Sequence, residues 1–164
     1  MQPKKALEPF AVVDSLLNAF AINQRIDEFL IRAVPDAAWN ATPPGGKGRT
    51  IAAMAAHIHN VRLMWLKSVS GSAGLPARLE GESCSKDQAA GALQESWRAL
   101  ETVLRAALSG DGRVKGFKPD AAAFLAYLFA HDAHHRGQMA MLARQLGHAL
   151  PQSSAYGLWE WGTR

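Results

Sequence analysis

The chain has 164 residues, 48% of them hydrophobic and 20% charged, a composition that fits one globular domain over residues 1–164 and excludes a disordered chain. Its formal charge of +4 is spread from Lys4 to Arg164 and never gathers on a basic face, so nucleic acid is not an expected partner. The single cysteine, Cys84, excludes an internal disulfide, suits a reducing compartment and reads as an inert loop residue.

The first nine residues have no apolar h-region, and no apolar run reaches membrane-spanning length. A soluble cytoplasmic protein without a membrane partner is expected. Strand signals are nearly absent, and helical periodicity appears four times. The first helix is expected over 12–33, with Leu16, Leu17, Phe20, Phe29 and Leu30 among its apolar residues, and Pro35 ends it. Residues 35–49, with Pro43-Pro44-Gly45-Gly46 and Gly48, read as a loop. Thr50 is a candidate N-cap for a second helix over 51–67. Residues 68–84 form another long connection. Ser85 and Gln88 then have the spacing of a capping box for a third helix running to about 108, with Leu93, Trp97, Leu100, Leu104 and Leu108 on one face. Pro119 fits the first position of a fourth helix that stops at Gly147. The tail, with Tyr156, Trp159 and Trp161, reads as a short helix or strap against the bundle.

Four long helices without strands imply an all-α four-helix bundle. Extended chain covers about 3.3 Å per residue against about 1.5 Å for helix, so either of the first two links is long enough to run back along a neighbour. One pair of parallel helices is therefore permitted.

Five of the six histidines fall in two clusters: His57 and His59 in the second helix, and His131, His134 and His135 in the fourth. Phe124, Leu128, His131, His135, Met139, Leu142 and Leu146 follow one another at spacings of three and four, so His131 and His135 occupy core positions. Residues four apart differ by about 40° around a helix, and two such imidazoles can reach one ion about 2.1 Å from each. On the second helix, Met54, His57, Val61 and Met64 share a stripe, which makes His57 the better inward candidate than His59. The alternative is a pair of core imidazoles bonded to carbonyls or water. His131-Asp132-Ala133-His134-His135 also approaches the zincin pattern, but Asp132 is one methylene shorter than the glutamate that motif needs, which leaves a peptidase as a runner-up. Asp132 and Arg136 read as solvated or interhelical charges, and His148 as a partner of the helix C-terminus.

His131-Asp-Ala-His-His135-Arg136-Gly137-Gln138, followed by Leu142, Leu146 and Gly147, resembles the last-helix motif of the DinB/YfiT-like metalloenzyme family. The setting Ala55-Ala56-His57-Ile58 after a Pro-containing loop resembles the family's earlier marker. The resemblance implies a four-helix bundle with a long crossover between helices two and three. It also implies a divalent metal ion, zinc or nickel, held by His57, His131 and His135, and a homodimer. His134 stands where relatives are typically aromatic, so it joins Gln138 as a candidate catalytic residue. A metal-dependent hydrolase or a thiol-dependent S-transferase acting on a small molecule, with a low-molecular-weight thiol as partner, is the implied activity. A metal-binding sensor or ligand-binding module without turnover, and a metal-free structural dimer, are the alternatives.

Overall fold

Three of the four long helices begin where a side chain satisfies an orphan backbone amide. The computed structural model describes residues 10–81 and 83–164; the first nine residues, read above for a leader, lie outside them. α1 (Val12–Ala33) starts without such a cap and ends ahead of Pro35. α2 (Asp36–Trp39) is a single turn inside the expected loop, held there because the Trp39 indole is buried and donates to the Cys84 carbonyl at 2.8 Å. Thr50 Oγ1 accepts from the Ala53 amide at 3.1 Å and opens α3 (Ile51–Ser70). The expected capping box opens α4 (Lys86–Ser109): the Ser85 amide donates to Gln88 Oε1 at 2.8 Å and the Gln88 amide to Ser85 Oγ at 3.1 Å. α5 (Ala121–Gln145) corrects the expected start at Pro119, because Asp120 Oδ1 accepts from the Ala123 amide at 2.9 Å and sets the helix two residues later. Gly147, at φ +80°, turns the chain out of α5, with the His148 amide donating to the Ala143 carbonyl at 2.8 Å.

The contacts between helices fix their directions. Arg32 reaches Asp87 and Arg105 reaches Asp14, so α1 and α4 are antiparallel. Arg62 donates to the Leu93 carbonyl while Ser68, one and a half turns on, reaches the Lys115 carbonyl beyond the end of α4. Cys84, just ahead of α4, meets the Ala52 carbonyl at the start of α3. α3 and α4 therefore run parallel, and the connection between them, residues 71–85, is the crossover that brings the chain back. It returns along α3: Asn60 exchanges a pair of hydrogen bonds with the Leu79 backbone, at 2.9 and 3.1 Å. Gly81 packs so closely on α3 that a Cβ there would lie 2.9 Å from Ala53 Cα. Cys84 ends the crossover buried in the core, 3% exposed, and burial pushes its thiol pKa up, which keeps it inert.

The core has two parts. One, around Leu30, Trp39, Ile51, Ile58, Leu93 and Met139, lies at the loop end of the bundle; the other gathers Leu17, Phe20, Leu66, Leu100, Phe124 and Leu128 at the opposite end. The tail does return to the bundle: α6 (Gln152–Gly157) leads to a 3₁₀ turn at Trp161–Thr163, where Trp161 stacks on Phe129 and the Arg164 guanidinium lies 3.8 Å from the Phe29 ring centre. Among the described residues there is no strand, and no helix is long and apolar enough to cross a membrane.

Candidate metal centre

Three imidazoles meet on the seam between the antiparallel helices α3 and α5. The His57 ring centre lies 5.4 Å from that of His131 and 4.8 Å from that of His135, and the latter two are 4.6 Å apart. One ring nitrogen from each falls within 4.8 Å of the others. A tetrahedral ion about 2.1 Å from each nitrogen sets them roughly 3.4 Å apart, so small ring rotations close the set. The donor set fits a borderline divalent ion, and three protein ligands leave coordination positions open.

Two of the rings, His57 and His135, are held in the neutral form. His135 Nδ1 lies 2.8 Å from Gln138 Oε1, one turn along α5, which leaves its Nε2 for the cluster. Burial, then Arg49, then the other two imidazoles lower the His57 pKa to about 4. Burial likewise lowers that of His135 against the opposing bond from Gln138. Both imidazoles are thus neutral at pH 7.

Two sequence expectations change here. His59, and not His57, is the inward residue of α3: it is fully buried, and its Nε2 lies 2.9 Å from the crossover's Ala77 carbonyl. The stripe through Met54, His57, Val61 and Met64 is a flank, with Met64 52% exposed. The reason is that α3 is packed by α2, α4, α5 and the crossover, so its apolar surface wraps too far round to point one way. The cluster accordingly lies at the edge of the core, with His57 half-buried and the His131 side chain 14% exposed. His134 is exposed, its ring 5.0 Å from that of His135, and it stands outside the cluster. With Gln138 it lines a groove of about 620 Å³ between α5 and the Pro/Gly-rich loop.

Sequence reasoning missed the support behind the cluster. Arg62, fully buried on α3, donates through Nη2 to Asp132 Oδ2 at 2.8 Å and to Asp27 Oδ2 at 3.1 Å, and through Nη1 to Gln24 Oε1 at 2.5 Å. Arg136 Nη1 donates to Asp27 Oδ1 at 2.6 Å and to Asn23 Oδ1 at 2.8 Å, and Asn23 donates to Asp132 Oδ2 at 2.8 Å. Two guanidinium groups thus face two carboxylates across α1, α3 and α5. Burial opposes the Asp132 charge, but Arg62, the contact with His131 and Arg136 hold its pKa below the usual carboxylate range. Asp27 goes the other way, pushed up to about 7 by burial and by the Asp132 charge, which outweigh its two arginines. Asp132 is therefore an interhelical charge, not a solvated one. Its Oδ1 has no hydrogen-bond partner and faces His131 Nδ1 at 3.8 Å, so it lies behind the imidazole. A carboxylate so engaged is not the free base a zincin uses, and the peptidase reading is set aside.

The bundle and its seam define a helical protein with a three-histidine candidate metal centre. The DinB family model matches residues 4–162, and the chain belongs to the DinB family. Nothing among the curated proteins or the solved structures matches it.

Proposed function

We propose that the protein binds one divalent metal ion, zinc or nickel, through His57, His131 and His135, and uses it on a small molecule that enters by the adjoining groove. The convergence of three imidazoles within 4.8 Å at a half-buried seam carries this reading. An ion there would supply Lewis acidity, activating a bound water or thiol. Hydrolysis and thiol S-transfer are both open to such a centre. The engagement of Asp132 with Arg62 and Asn23 removes the nearest carboxylate as a base and favours transfer from a low-molecular-weight thiol, which needs none once ionised. Gln138 orients His135, and His134 stands at the groove where it can exchange a proton with a bound molecule. A homodimer, with the exposed Tyr156 and Trp159 available to a second copy, belongs to the same proposal and is tested by sedimentation.

The test is metal titration of the purified chain by calorimetry, followed by assay of ester and thiol-adduct substrates with and without chelator. One ion per chain is expected, with binding lost in a His131→Ala, His135→Ala double variant; undiminished binding in that variant refutes the site. Metal binding without turnover of any substrate would instead favour a sensor or ligand-binding module.

A further inference from the structure

Two cationic side chains, Lys47 and Arg49, line the groove beside the three histidines. Arg49 borders the groove of about 620 Å³ that also carries Lys47, His134 and Gln138, and no aspartate or glutamate lines that groove. Arg49 also borders a second opening, of about 680 Å³, which His57, Arg78 and Glu80 line as well. It is therefore shared by the opening that reaches His57 and by the groove that carries Gln138, the partner of His135. No carboxylate among the described residues pairs with it.

This placement is unfavourable for a cation site taken alone. Arg49 borders both openings without a carboxylate partner among the described residues, and by Coulomb repulsion an unpaired guanidinium there disfavours a divalent ion at the neighbouring histidines. The backbone keeps it there: Arg49 immediately precedes Thr50, whose side chain caps α3, and the loop before it turns through Gly45, Gly46 and Gly48 at positive φ. An anion bound between the guanidinium and the ion would turn the repulsion into two attractions. The remaining lining, Met54, Met141 and Leu142, is apolar and suits a short hydrocarbon stem.

We propose that the molecule handled at this centre carries a carboxylate, and that Arg49, assisted by Lys47, is the group that recognises it. The proposal rests on the metal reading above and adds the substrate's charge to it.

The test uses the full chain loaded with cobalt(II) and three thiol probes of increasing length: mercaptoacetate, 3-mercaptopropionate and 4-mercaptobutyrate, each compared with its primary amide. Dissociation constants are read from the thiolate absorption of the cobalt protein. At least one acid should bind roughly five- to tenfold tighter than its amide, the scale of one charge-assisted contact. In Arg49→Gln that ratio should fall to about one, while cobalt affinity stays the same or rises. Equal binding of acid and amide at all three lengths overturns the proposal. So does a preference that survives both Arg49→Gln and Lys47→Gln, because the ion alone then accounts for it. Absence of cobalt binding overturns the metal reading and this proposal with it; normal cobalt binding without charge preference overturns the proposal alone.

Discussion

At the scale of single residues, Arg62 decides most. Its guanidinium is fully buried and shared by Asp27 and Asp132, so removing one partner strands a charge in the core. Arg62→Met or Asp132→Ala should each cost about 3–5 kcal/mol in urea unfolding. The double variant leaves the neutral pair Asp27–Arg136 intact, so it should cost clearly less than the sum. Strict additivity would show that the two are not coupled. His57 permits a separate pH prediction. Its pKa is lowered from 6.5 to about 4, so as pH falls from about 6.5 to about 4 the unfolded chain takes up a proton that folded His57 refuses. Its contribution to stability is present above that window and is lost through it. Asp27, with a raised pKa, acts in the opposite sense, so the useful quantity is a difference between proteins that share Asp27. In chelator, the drop in Tm between pH 7 and pH 5 should be smaller for His57→Gln than for the parent. An identical drop would mean that His57 titrates normally.

At the scale of elements, the capping residues Thr50 and Ser85 and the stop at Gly147 were readable because each rests on chemistry within a few residues. The α5 stripe was readable too, with His135 buried on it and His131 partly exposed at the edge of the core. It left out Asp132, although Leu128, Asp132, His135 and Met139 have core spacing as good as the sequence reading's own. Asn23, Gln24 and Asp27 likewise fill the gap between Phe20 and Leu30 on α1, a run of polar residues at core spacing that signals a buried network. Which of His57 and His59 faces inward was not readable, since that depends on how many neighbours surround α3. The crossover is one of those neighbours, and its closest approach is Gly81 on Ala53. Gly81→Ala forces one of them to move, and thermal unfolding should report a loss of about 1–3 kcal/mol. A neutral result would mean that the crossover yields freely.

At the scale of the whole molecule, the three histidines belong to two helices that the chain joins only through α4 and both flanking links. An ion that binds the folded state alone stabilises it by about 2.7 kcal/mol at a hundredfold excess over its Kd. Zinc or nickel should therefore raise Tm in a concentration-dependent way that chelator reverses. The His131→Ala, His135→Ala variant should show no such rise; a full rise there would place the ion elsewhere. The buried charges impose a constraint of a different kind. Two guanidinium groups and two carboxylates share one network across α1, α3 and α5, in which Asp27, with its raised pKa, can take up or release a proton. Any one-step change at Asp27, Arg62, Asp132 or Arg136 shifts the charge of that network by one, of which the Asp27 proton can absorb only part, whereas a paired change restores it. In descent these four positions should thus behave as one inherited character, crossing from one solution to another only by way of a weakened intermediate.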